Sequence, residues 1–140
     1  MITYLINQAC LGGFNLINSR VDAFRILRNK TIAHGINFGA YAVFALVLYY
    51  FTVKPVFTWT DFPFVDLAVY LVSAFCNRQG SFDIPLNLRR GLKWDHVSTA
   101  KPPAAWLDRQ EIRLFGYNGR APVVMYAAVW LVCLIIKIWL

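Results

Sequence analysis

Two short constellations in this chain carry residue types that can do chemistry. Asp95-His96, flanked by Lys93 and Trp94, sets a carboxylate beside an imidazole, the pairing used in general acid–base catalysis. Asp83, with Arg78, Arg89 and Arg90 around it in sequence, gathers forked cations suited to a phosphate or a lipid head group. Interfacial ion pairs use the same residues and contribute little, so neither constellation is assigned a catalytic role. His34, three residues before Asn37, is expected to bond a backbone carbonyl or a head group rather than to shuttle a proton. The histidines, His34 and His96, fall in different segments, and no Cys or acidic cluster has metal-ligand spacing. Cys10, Cys76 and Cys133 are far apart and form no CxxC pair, which predicts free cysteines packed as small hydrophobes. A P-loop, a nucleotide-binding glycine pattern, GxSxG and HExxH are all absent from the sequence. No catalytic residue, cofactor or metal is therefore expected.

The elements that must position these residues belong in a bilayer by composition. Hydrophobic residues make up 59% of the 140 and charged residues 15%, against about 45–50% and about 25% in soluble domains. A chain this short buries too small a share of its surface in water to hide so much apolar area. The net charge is +7, from 14 Lys and Arg against 7 Asp and Glu. In a membrane chain this excess predicts a positive-inside bias and anionic head groups as the partner, with nucleic acid not expected. The first nineteen residues hold no Lys or Arg, so the positive region of a cleavable signal is missing and the chain's own spans are expected to anchor it.

Residues 1–32 divide, by this reading, into an interfacial segment interrupted at Gly12-Gly13 and a basic amphipathic helix. Asn7, Gln8, Asn15 and Asn18 argue against a crossing there, because each amide in hydrocarbon needs a partner. Ser19 with Asp22 imitates a capping box, and Arg25 and Arg28 follow where they can meet head groups. Residues 33–53 form an uncharged run long enough for a first span, with Gly35 and Gly39 as a GxxxG able to support helix–helix contact. Residues 62–77 form a short second span, with Asp66 in its first turn near the head groups. Residues 78–120 are the polar, basic region, in which the alternation from Phe82 to Trp94 fits an extended strip or a short helix from Pro85 to Gly91. After Lys101-Pro102-Pro103 a helix is predicted up to Gly116, with Trp106, Leu107, Leu114 and Phe115 on the membrane and Arg109 and Arg113 in water. Residues 121–140 form the third span, with Lys137 near enough to its end to snorkel out.

The expected fold is thus all-α, with about three transmembrane helices and interfacial amphipathic helices. Loop charges put the N-terminus and residues 78–120 in the cytoplasm and the C-terminus outside. On that side Asn29-Lys30-Thr31 would not meet the glycosylation machinery. The strip SFDIPLNLRRGLKWDHVS, then PPAAWLDRQEIRLFG and a closing hydrophobic span, resembles uncharacterised small membrane proteins of bacteriophages and prophages, over roughly residues 81–140. The resemblance implies a bacterial inner membrane or a virion membrane and carries no activity. The expected function is a non-enzymatic membrane component, an assembly or accessory factor docking through its basic region, with contacts at Arg25, Arg28, Arg78, Asp83, Arg89, Arg90, Lys93 and Trp94. Partners would be anionic lipid, a second copy, or other membrane or virion proteins. A holin-like permeabilising protein and a small lipid-modifying enzyme are the alternatives.

Overall fold

Helix α1, Ile2–Leu27, runs through Gly12-Gly13 without a break. This computed structural model describes residues 2–28, 34–52, 63–96, 106–116 and 119–139, with the side chains of residues 34, 35, 63 and 106–108 excepted. The predicted division of residues 1–32 at the glycines and at Ser19 is corrected. Packing outweighs the roughly 1 kcal/mol that each glycine costs a helix, and Gly12 lies against Asn77, whose Oδ1 would be 3.6 Å from an added Cβ. Ser19 caps nothing. Its hydroxyl donates one turn back to the Leu16 carbonyl at 2.9 Å.

The reason α1 holds together is the stripe it buries. Tyr4, Asn7, Gln8, Leu11, Asn15, Ser19 and Asp22 recur at three- and four-residue spacing and all lie inside. Ile2, Ile6, Leu16, Ile17, Val21 and Phe24 are exposed on the other side. The helix is amphipathic with its polar stripe turned inward, the reverse of a helix on a water-soluble core.

Helix α2, His34–Thr52, returns antiparallel to α1: Phe14 stacks on Phe44 at 4.9 Å, and Asn37 donates to Asp22 at 2.8 Å. Helix α3, Pro63–Arg78, continues through a π-helical turn, Gln79–Asp83, into α4, Ile84–Arg89. The backbone stays helical at both junctions. Pro85 explains the π turn. A proline inside a helix clashes with the carbonyl four residues back, here that of Ser81, and a wider turn relieves the clash. Of the two readings of residues 82–94, the structure therefore has the helix. Its end is a Schellman motif: Gly91 has φ +71°, its N–H bonds Leu88 O at 3.1 Å, and Leu92 N–H bonds Asn87 O at 3.0 Å.

Helix α5, Trp106–Phe115, ends at Gly116, whose φ is +65°, as the sequence predicts. Leu114 is exposed, while Arg109 is half-buried rather than turned to water. Helix α6, Arg120–Trp139, runs antiparallel to α3, with Phe75 against Tyr126 and Lys137 paired with Asp66. Two expectations change here. Asp66 is only 3% exposed and accepts from the Tyr49 hydroxyl at 3.1 Å as well as pairing with Lys137. Both groups turn inward to each other, because opposite charges inside a bundle satisfy each other at less cost than either does alone.

Every described element is a helix. Tyr4, Leu11, Tyr41, Ala45, Tyr70 and Ala74 form the main apolar cluster, and Ala23, Phe82 and Leu86 a smaller one. Among the described residues one helix, α6, is long and apolar enough to cross a membrane; the apolar part of α2, Ile36–Thr52, is shorter. Charge is segregated along the bundle. The Asp66–Lys137 pair occupies one end, and the other described Lys and Arg residues lie in 20–28, 78–93 and 109–120. The start of α1 is at the Asp66–Lys137 end, since Tyr4 donates to Ser73 on a helix running parallel to α1, with Asn15 donating to Ser81 further along. Only the later turns of α1 share the basic end with residues 78–96, 106–116 and 119–120. Cys76 and Cys133 are buried as expected, and Cys10 is exposed. Lys54-Pro55, residues 55–62, Lys101-Pro102-Pro103, Asn29-Lys30-Thr31 and the surroundings of His34, Gly35, Trp106 and Leu107 lie outside the described residues.

Candidate functional site

At the basic end, five parts of the chain converge on one small cavity. The π turn supplies Gln79 and Asp83, α4 supplies Asn87, and α5 supplies Glu111. The segment after α4 is folded back by the Gly91 reversal, and the Asn87 amide holds it there, donating to the carbonyls of His96 at 2.9 Å and Trp94 at 3.4 Å. That pins Trp94, Asp95 and His96 at the rim. Pro122, Val123 and Tyr126, from the first turns of α6, close the remaining wall. Two contacts lock the elements together. Arg120 Nε bonds Asp95 Oδ2 at 3.2 Å, and the Tyr126 hydroxyl donates to Glu111 Oε1 at 2.8 Å. The cavity measures about 40 Å³, room for a few water-sized groups.

The site is acidic within a basic protein, since Asp83, Asp95 and Glu111 all border it. Gln79 is 5% exposed, and its Nε2 has no hydrogen-bond partner. A buried amide left unmade costs about 1–3 kcal/mol, which favours something in the cavity that meets it. Among the described residues no group of three or more His, Cys, Asp or Glu is arranged to hold a metal ion.

The structure thus unites Asp83, Trp94, Asp95 and His96, which the sequence puts in two separate constellations. It disperses the arginines. Arg78 is buried, its guanidinium 4.3 Å from the Phe82 ring and 5.4 Å from that of Phe38. Arg89 turns to α1. Arg28 packs 4.0 Å over Phe24 on its own helix, Arg25 and Lys93 are exposed, and Arg90 is half-buried. Gly39 is exposed, with nothing within 4 Å of an added Cβ. Gln79, Asn87, Glu111 and Tyr126 escape sequence reasoning, because no spacing rule links positions so far apart.

A second polar feature runs inside the bundle. Gln8 bonds Ser73 at 3.1 Å, Asn77 donates to Gln8 Oε1 at 2.9 Å, and Asn15 donates to Ser81 at 2.9 Å. Trp130 on α6 also donates to Gln8, at 3.2 Å. These amides and hydroxyls satisfy one another between α1, α3, the π turn and α6, so Gln8 and Asn15, two of the polar residues that argue against a crossing, have partners inside the protein. No family model, no curated protein and no solved structure matches this chain.

Proposed function

We propose that the chain is a multi-pass integral membrane protein of a bacterial inner membrane or a virion membrane. In this reading it is a non-enzymatic assembly or accessory component whose basic end docks on anionic head groups or on a partner lying there. The observation that carries the reading is the polarity of α1, with Asn7, Gln8, Asn15 and Asp22 buried and Ile2, Ile6, Ile17 and Phe24 exposed. In water this arrangement desolvates amides and wets aliphatic side chains, losing on both counts. In hydrocarbon both terms reverse, and interhelical hydrogen bonds become the means of holding helices together. The length and apolarity of α6 support the same setting.

The bundle directions support four crossings by α1, α2, α3 and α6 rather than three. The N-terminus then lies on the side where α6 ends, and the positive-inside bias assigns the basic end to the cytoplasm. Cysteine labelling in a background free of native cysteines tests this. Probes at positions 2 and 58 should react only from outside, and probes at 93 and 100 only from inside. Positions 2 and 93 labelled from the same side would remove α1 from the membrane and restore three crossings.

A further inference from the structure

We infer that the cavity between the π turn, the Trp94–His96 segment and the start of α6 binds the vicinal diol of a glycerol group. Gln79 lines this cavity from the π turn, is 5% exposed, and has no hydrogen-bond partner at Nε2. Such π-helical turns occur often at functional sites. Nε2 is a donor, so whatever meets it must be an acceptor. Asn87, on the same cavity, offers the opposite group. Its Nδ2 is spent on the carbonyls of His96 and Trp94, which leaves Oδ1 as the acceptor of that amide. A hydroxyl accepts and donates at once, so it suits a donor and an acceptor on one wall.

Charge and size select the class of occupant. Asp83, Asp95 and Glu111 border the cavity, and each already has a partner. Their negative charge disfavours an anion, and their partners leave no call for a cation, so the occupant is neutral. A cavity of about 40 Å³ takes a few water-sized groups, enough for hydroxyls on two adjacent carbons and too little for a sugar ring. Trp94 and Tyr126 on the walls give the carbon side of a diol an apolar surface. The same chemistry has two sources: the head group of phosphatidylglycerol or a soluble glycerol ester. The lipid source rests on the membrane reading above. It is favoured because Arg120, with its side chain 73% exposed, and the exposed Lys93 stand beside the rim, where they meet the phosphate while the diol enters.

Two measurements on the purified full-length protein test the site. Native mass spectrometry from mixed-lipid nanodiscs compares phosphatidylglycerol with phosphatidylpropanol, which has the same phosphodiester charge and no hydroxyl. Phosphatidylglycerol should be retained about tenfold better. Gln79→Leu should abolish that preference and leave retention of phosphatidylpropanol unchanged. Calorimetric titration of the delipidated protein in detergent with glycerol 3-phosphate and with propyl phosphate reads the soluble source. A lipid preference, with or without one in the titration, assigns phosphatidylglycerol; a preference in the titration alone assigns a soluble glycerol ester. No preference in either measurement on the wild-type protein overturns the diol site, even if the variant fails to fold, as does an unchanged preference in a folded Gln79→Leu protein. Equal retention of both anionic lipids over phosphatidylcholine would still leave head-group docking standing, whereas retention of neither would remove docking as well.

Discussion

Arg89 reaches from α4 across to α1, its Nη1 donating to the Leu16 carbonyl at 2.9 Å and also to the Ser19 hydroxyl. Arg90, one residue on, makes neither contact, so adjacent arginines have different tasks. Arg89→Gln is expected to lower stability by about 1–2 kcal/mol through the lost charged hydrogen bonds. Arg90→Gln should stay within about 0.5 kcal/mol of wild type yet weaken retention on anionic nanodiscs by about 1 kcal/mol. Unfolding in detergent and nanodisc retention, measured for both variants, separate the roles. Equal behaviour of the two would return them to one head-group pair.

The Asp66–Lys137 contact predicts strong non-additivity. Removing one partner leaves a charge buried among Tyr49 and its neighbours, so Asp66→Leu or Lys137→Met alone should cost about 3–5 kcal/mol. The double variant should recover most of that, less about 1 kcal/mol for the Tyr49 hydroxyl bond it also loses. Thermal unfolding of the four proteins in one detergent gives the coupling. Additive losses would mean that the pair is not formed.

The outward face of α1 tests the surrounding medium. Ile6 is 56% exposed and lies close to Gln8, which bonds Trp130 near the middle of α6. Ile6→Lys is expected to cost about 2.5–3.5 kcal/mol if that face meets hydrocarbon, and less than about 0.5 kcal/mol if it meets water. Membrane insertion measured by alkaline extraction reads the difference. An unaffected Ile6→Lys protein would contradict the membrane assignment directly.

At the cavity rim, His96→Gln is expected to be nearly silent. The contacts of His96 that hold the rim are backbone ones, its N–H to Lys93 O and its carbonyl to Asn87, and glutamine keeps both. Trp94 is 37% exposed, so Trp94→Ala should cost about 1–2 kcal/mol rather than the 3–5 of a fully buried aromatic. Complementation with membrane-fraction blots compares the two. A dead but well-inserted His96→Gln beside an active Trp94→Ala would make the site catalytic.

Much of the local structure is legible without coordinates. The uncharged run at 33–53 and the apolar run at 121–140 appear as α2 and α6, and the helix stop at Gly116 is where backbone chemistry requires it. Pro85 and Gly91 delimit a short helix by the same rules, although alternation alone leaves a strand open. The first nineteen residues are where local reading fails. Asn7, Gln8, Asn15 and two glycines look unfit for one long helix until Thr52, Ser73, Asn77 and Ser81 are known to face them.

Composition, charge and turn chemistry are properties of each segment and its neighbours, so the sequence by itself determines the helical class, the apolar exterior and the basic polar stretch. Partners distant in the chain are not encoded in any local period. Only the tertiary structure decides that Asp66 meets Lys137 and that Arg89 serves α1 while Arg90 does not. It also brings Gln79, Asp95, Glu111 and Tyr126 to one cavity, because each depends on the directions in which α1, α3 and α6 pack. Those directions are set by buried polar groups finding one another, an energy that exists only after the helices meet.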